Sequence, residues 1–148
     1  MKCDKLIRGL ICQALLVVAL GTSAESGVEA NRKVVTDFVD AFNKHNIEDM
    51  LALVTESIRV MYLDGGDIST QADNPDTLRE EMRNYFADFP TAASTLSQLV
   101  VSNNFVSAVE QASWQHDGQT RRQCSLSVYE LENYKIKNVW YYAAHACE

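Results

Sequence analysis

Basic residues are scarce in this chain: 13 Lys and Arg stand against 20 Asp and Glu in 148 residues, a net charge of −7. A face that neutralises phosphates cannot be built from so few cations scattered among more carboxylates, which excludes nucleic acid and anionic lipid as partners. Long apolar runs are missing too. The longest, Leu10 to Leu20, is broken by Gln13 and falls short of the about 20 residues that a hydrocarbon core requires, so a membrane anchor is not expected. Glycine and proline number six and two and never cluster into a linker, and no repeat or low-complexity tract occurs, so nothing divides the chain into further domains. His45, His116 and His145 lie far apart, and no Cys or His pair has metal-ligand spacing. Neither a Gly-rich phosphate loop nor a Gly-x-Ser-x-Gly elbow is present, so no metal site or cofactor is expected.

What is present begins with a leader. Lys2, Lys5 and Arg8 precede the apolar run, and Thr22-Ser23-Ala24 follow it, the pattern of a secretory signal peptide cut after Ala24. Residues 1–24 are therefore read as the leader and 25–148 as a single exported domain, periplasmic or secreted. Cleavage removes three positive charges and one negative, taking the net charge from −7 to −9. It also leaves only Cys124 and Cys147. An oxidising compartment permits a disulfide between them, but the tight turn ahead of the last strand sets Cys124 opposite a residue from Tyr141 to Ala143. Cys147 lies beyond that register, so two unpaired thiols are expected.

Along the mature chain, residues 25–30 read as a polar lead-in. Val34, Val35, Phe38, Ala41 and Phe42 then mark one face of an amphipathic helix. Asn46 can cap a second helix with Glu48 and Asp49 in its first turn. The period changes to two over Ile58 to Leu63, and Asp64-Gly65-Gly66-Asp67 ends that strand, with a polar loop after it. A third helix starts near Asn74-Pro75 or at the capping box Thr77-Leu78-Arg79-Glu80, carries Leu78, Met82, Tyr85, Phe86 and Phe89, and stops at Pro90. Strands follow at Leu99–Ser102, Phe105–His116, Arg121–Leu131 and Lys135–Tyr142, with turns at Asn103-Asn104, Asp117-Gly118 and Glu132-Asn133. Helices first and strands after them define an α+β domain.

Candidate chemistry sits on the strand Phe105–His116. Alternation puts Val106, Ala108, Glu110, Ala112, Trp114 and His116 on one face, read here as the inward one. Two titratable groups in an apolar stripe have their charged forms disfavoured, the setting for acid/base chemistry. Six residues of strand hold Glu110 and His116 roughly 20 Å apart, so any partner comes from another element. Tyr62 and Asp64 share a strand face and could reach the same cavity, although an Asp before Gly-Gly is often a turn former.

The closing hairpin is apolar on both sides. Parity groups Leu126, Val128, Val139 and Tyr141 on one face and Tyr129, Leu131, Ile136, Trp140 and Tyr142 on the other. Helices cover one face, so the outer one calls for a second cover, most simply the same face of another subunit.

Two segments together resemble a known family. Val34-Val35-Thr36-Asp37-Phe38-Val39-Asp40-Ala41-Phe42-Asn43 with Asn46 to Val54 is similar to the opening of nuclear transport factor 2-like proteins of the SnoaL-like, polyketide-cyclase-like branch. Val128-Tyr129-Glu130-Leu131, Lys135-Ile136 and Val139-Trp140-Tyr141-Tyr142 resemble the last hairpin of that family. The resemblance implies a cone of about three N-terminal helices on a curved, mainly antiparallel sheet, enclosing an apolar pocket and often paired as a homodimer. The oxyanion-donating tyrosine of the family's ketosteroid isomerases would fall at Phe38, their basic aspartate at Tyr62 and their protonated aspartate near Ser127. All three positions depart, so that isomerase chemistry is not implied. The expectation is a pocket lined by Phe38, Phe42, Tyr62, Trp114 and Tyr129 that binds a small, largely apolar molecule. If catalysis occurs, Asp64 or Glu110 abstracts a proton and His116 or Tyr62 donates to the developing oxyanion. The alternatives are a non-catalytic ligand carrier and a dimeric association module.

Overall fold

The structure, a computed structural model, describes residues 21–147, with side chains from residue 27. Nine elements follow one another: α1 (Gly21–Asn43), α2 (Ile47–Ala52), β1 (Val54–Asp64), β2 (Asp67–Ala72), α3 (Pro75–Asp88), β3 (Ala93–Ser102), β4 (Phe105–His116), β5 (Gln119–Glu132) and β6 (Lys135–Tyr142). The strands form one sheet in the order β2-β1-β6-β5-β4-β3, antiparallel throughout except where β1 meets β6. Three helices pack on one side of this curved, mostly antiparallel sheet. The leader expected over 1–24 lies mainly outside the described residues, while the lead-in read at 25–30 is part of α1. Among the described residues, no helix is long and apolar enough to cross a membrane.

Local chemistry accounts for the element ends. Asn46 accepts from the Asp49 amide and starts α2, and Asn74 accepts from the Asp76 and Thr77 amides ahead of Pro75, while Thr77 caps back onto the Asn74 amide to start α3. Phe89, extended before Pro90, closes α3 through its amide on the Tyr85 carbonyl. Gly65 and Gly66 both take positive φ, which lets β1 turn directly into β2; the polar stretch read as a loop is thus an edge strand. β3 begins at Ala93 rather than Leu99, because a bulge near Gln98, at φ +52°, breaks the alternation there.

The core joins Val35, Phe38 and Ala41 of α1 to Met50 of α2, Leu78 of α3 and the inner sheet residues Ile58, Val106, Tyr129, Ile136 and Val139. Face assignment in the last hairpin differs from the simple parity. Asn133 and Tyr134, not Glu132 and Asn133, form the turn, both at positive φ, so that Glu132 pairs with Lys135. A bulge then shifts the ladder from Leu131–Ile136 to Glu130–Asn138. Beyond it Val139 and Tyr141 turn inward beside Tyr129, and Trp140 and Tyr142 turn outward beside Val128 and Leu126.

A second one-residue slip pairs Cys124 with His145 through two backbone hydrogen bonds of 2.9 and 2.8 Å. The chain end then curls back to within 5.1 Å, Cα to Cα, of Cys124, and the two thiols expected to be free form the disulfide Cys124–Cys147. Two register slips supply the reach that a regular hairpin lacks. A cross-link closing 23 residues contributes about 3 kcal/mol through the unfolded state. Reduction, or the Cys124→Ser/Cys147→Ser pair, is therefore expected to lower unfolding free energy by about that amount in a denaturant titration, and an unchanged midpoint would refute the constraint.

Candidate functional site

Glu110 stands at the centre of β4, on the inner face between Ala108 and Ala112, and it joins no ion pair among the described residues. Hydroxyls satisfy it instead. Ser94 Oγ of β3 donates to one carboxylate oxygen at 2.6 Å, and the Tyr129 hydroxyl of β5 donates to the other at 2.8 Å. Tyr129 is fully buried, with Phe38 edge-on to its ring at 6.5 Å. Tyr141 of β6 meets the Tyr129 ring edge-on at 6.5 Å, and Ser127 lies within reach of both Glu110 and Tyr129. The result is a carboxylate held by two neutral donors, one from the strand on each side of β4. Ser94 is itself fixed from α1, where the Asn43 amide group exchanges two hydrogen bonds with the Ser94 backbone at 2.7 and 2.8 Å. No buried side-chain polar atom among the described residues lacks a partner.

Electrostatics follow from this enclosure. Burial pushes the Glu110 carboxyl above its ordinary value, and the hydrogen bonds from Ser94, Tyr129 and Ser127 pull part of the way back. Burial likewise lifts Tyr129 and Tyr141 well above 10, with the nearby Glu110 charge adding to it, so both phenols stay neutral donors. Tyr62 is 46% exposed as a residue, yet its phenol is pushed up to about 12, chiefly by burial and further by Tyr85, Glu110 and Glu81. Exposure and shift are compatible because the ring stacks on Tyr141 at 5.3 Å while one edge stays open to solvent.

The open volume lies one ring away from this network. A cleft of about 260 Å³ between β1, β2 and α3 is lined by Val60, Tyr62, Leu78, Glu81, Met82 and Tyr85, among others. Glu110 does not line it; Tyr62 and Tyr85 stand between. Deeper under α3 the space is filled. Phe42, Tyr85 and Phe89 stack in sequence at 5.8 and 5.1 Å, and Phe89 meets Trp114 edge-on at 5.9 Å. Phe86 completes the wedge between Phe42 and His45.

The expected site residues separate accordingly. Glu110 and Tyr62 belong to the enclosed region, with Tyr129 as a direct partner of Glu110. Phe38 is core, and Phe42 and Trp114 pack on the α3 aromatics rather than around an empty chamber. His116 does not face the interior: its side chain is 62% exposed and lies 3.4 Å from the Asp117 carboxylate. The parity was right, but the β4–β5 hairpin projects past the helices, and residues 115–123 are all exposed. Asp64 is an exposed turn residue opposite Asp67, and no hydrogen bond joins it or His116 to Glu110. Sequence reasoning missed Ser94, Tyr141 and Tyr85. A carboxylate placed between two alanines on an inner face requires donors from the flanking strands, and that requirement could have pointed to Ser94 and Tyr129. Among the described residues, no three His, Cys, Asp or Glu side chains gather into a group that could hold a metal ion.

A helix-covered curved sheet with a hydroxyl-bound acid at its centre and a cleft under its third helix defines a cone-shaped α+β protein of the nuclear transport factor 2-like type. The chain belongs to the SnoaL-like domain family, whose model matches residues 35–139. Solved structures agree in fold. Bal32a from a soil-derived mobile gene cassette aligns with a TM-score of 0.69 at 13% identity, over 80% of this chain and 92% of that one. A nuclear transport factor 2-like protein of unknown function from Burkholderia pseudomallei gives 0.65 at 15%, over 80% and 91%. A proposed SnoaL-like polyketide cyclase from Jannaschia sp. CCS1 gives 0.66 at 12%, over 80% and 87%. No curated protein matches the chain in sequence.

The raised Glu110 carboxyl has a measurable consequence. Because the folded protein holds this proton more tightly than the unfolded chain, stability from this group is greatest below the ordinary 4.5 and falls as pH rises through the folded-state value. Glu110→Gln should remove that slope while keeping the side-chain volume, so unfolding titrations of the two proteins should converge toward low pH and diverge above it. Glu110→Leu should instead lose about 1–3 kcal/mol for each hydroxyl left unpaired at Ser94 and Tyr129. Parallel pH profiles for wild type and Gln would show that the carboxyl is not perturbed.

Proposed function

We propose that this protein is exported and binds a small, largely apolar molecule at the cleft between β1, β2 and α3, with Glu110 behind it as the group that can exchange a proton. The observation that carries this reading is a half-buried carboxyl on the inner sheet face, without an ion pair among the described residues and answered by the neutral donors Ser94 and Tyr129. A fold needing nothing but a packed core would place an apolar side chain there at lower cost. Tyr62 stacks on Tyr141, Tyr141 meets Tyr129 edge-on and Tyr129 donates to Glu110, so a polar atom seated against Tyr62 lies a short series of rings from the carboxyl. The cyclase-type relatives are consistent with chemistry at such a site. Asp64 and His116, set in solvent away from Glu110, have no part in it. Export is supported by the leader pattern and by the Cys124–Cys147 disulfide, which suits an oxidising compartment.

Native mass spectrometry of the mature protein from its own host tests the binding reading. The expected result is a retained small molecule, lost on denaturation and displaced by Tyr62→Trp, which fills the cleft; a chain without any adduct would count against it. Once that molecule is in hand, Glu110→Gln should cut turnover by about a hundredfold or more while affinity changes little. Unchanged turnover would leave a carrier.

The outer sheet face supports a homodimer as part of the same proposal. Phe105, Leu126 and Tyr142 are each just over 40% exposed there, beside Val128 and Trp140. Sedimentation velocity at micromolar concentration should give a dimer for wild type and a monomer for Leu126→Glu. A monomer in both cases refutes the association.

A further inference from the structure

The cleft between β1, β2 and α3 carries charge of one sign only. Of its lining residues Glu81 is the one acidic or basic side chain; the others are apolar or uncharged polar, including Gln71, Tyr62 and Tyr85. Glu81 forms no salt bridge among the described residues. Of the two basic residues nearest along α3, Arg79 is held by Glu48 at 3.1 Å and by Asp76 at 2.6 Å, and Arg83 neither lines the cleft nor pairs with Glu81 among the described residues. Behind the tyrosines the Glu110 carboxyl adds to the same field, which both phenols register: Glu110 contributes to the upward shift of Tyr62 and of Tyr85, and Glu81 to that of Tyr62. An anion entering here meets the Glu81 carboxylate and no cation among the lining residues. A neutral apolar molecule would cover Glu81 and part of its hydration with nothing in exchange. Two phenol rings, a thioether and an unpaired carboxylate at one rim are instead the complement of a cation carried on alkyl groups, because ring faces attract positive charge and alkyl surface packs on them.

We propose that the cleft selects a small organic cation, an alkylated amine or quaternary ammonium, seated on the Tyr62 and Tyr85 rings with Glu81 at its open edge. This rests on the cleft being the ligand site and assigns the chemical class that it takes. A volume of about 260 Å³ accommodates such a head group together with a short apolar arm, being the space of about eight liquid waters. Glu81 sits at the surface and supplies a salt-sensitive part of the attraction, while the rings supply a part that salt leaves largely alone.

Three isosteric probes decide it: choline, its neutral carbon analogue 3,3-dimethylbutan-1-ol and the anion 3,3-dimethylbutanoate. Each is titrated into the full mature protein while the Met82 methyl resonance is followed. The expected order is choline tighter than the alcohol by about fivefold or more, with no shift from the anion. Glu81→Gln should lower choline affinity several-fold and leave the alcohol unchanged, and Tyr85→Leu, which keeps an apolar surface but removes the ring, should do the same. Circular dichroism on each variant confirms that it is folded, and Glu81 is exposed enough for its substitution to spare the core. Equal binding of choline and the alcohol overturns the cation assignment and leaves the cleft as a site for neutral molecules. Binding of the anion overturns it as well, and failure of all three probes to shift Met82 overturns both this inference and the choice of cleft.

Discussion

The structure turns on a half-buried acid held by hydroxyls without a base. Glu110 occupies the middle of the inner sheet face, where an apolar residue would cost nothing, and its presence dictates what the neighbours must be. The strand on one side supplies Ser94 and the strand on the other supplies Tyr129. Each donor then needs a fixed position of its own. Ser94 is anchored through its backbone to Asn43 on α1, and Tyr129 is wedged between edge-on contacts with Phe38 and Tyr141. One unpaired carboxyl thus ties α1 to three strands, and a hydroxyl missing from any of them leaves a desolvated polar atom behind. The arrangement is a statement about protonation as well as packing. Neutral donors lower the carboxyl's proton affinity only in part, so burial keeps the upper hand.

The second constraint is the aromatic wedge under α3. That helix has one fully buried residue, Leu78, and meets the rest of the protein through half-buried rings. Tyr85, Phe86 and Phe89 project toward Phe42 and Trp114 and occupy the volume that a simple inside-out reading assigns to a ligand. The free space is displaced toward β1 and β2, where the rings are fewer and Glu81 reaches the rim. The location of the cleft is therefore a packing result. Charge and rings at its edge come from α3 facing the edge of the sheet, not from a dedicated loop.

Most of the architecture was legible in the sequence, and the misreadings share a physical origin. Helix periodicity, the cap at Asn46 and the breaker at Pro90 are local signals that placed the helices, and of the two starts offered for α3 the structure takes Asn74-Pro75 over Thr77. Strand alternation placed Glu110 correctly, because β4 pairs regularly with β5 from Phe105 to His116. Errors gathered where the ladder slips. A bulge in β3 hid its first half, and another in the last hairpin exchanged Tyr141 with Trp140 between faces, which separated Tyr141 from its neighbour Tyr129. The same slips brought Cys147 to Cys124. His116 failed differently: its parity is inward, but no helix extends that far along the hairpin. Alternation tells which side a residue faces and says nothing about whether that side is covered.

Those slips also set how firmly the two sides of the cleft are held. On the sheet side, β1 is clamped between β2 and a parallel β6, and the end of β6 is tied to β5 by a backbone bridge and the disulfide. On the other side α3 is fixed by a cap at its start, an ion pair from Arg79 to Glu48 and side-chain packing, with no backbone ladder to the sheet. Cooperative hydrogen bonding makes the first wall stiff, and rings that are half exposed make the second the weaker one. Tyr62 belongs to the stiff wall and Tyr85 to the weak one, so a guest held between them is gripped by one surface that keeps its shape and one that can adapt its rotamers. Glu110, fixed wholly from the stiff side, keeps its position relative to Tyr62 whatever α3 does, and that is the geometric condition that the proposed proton exchange requires.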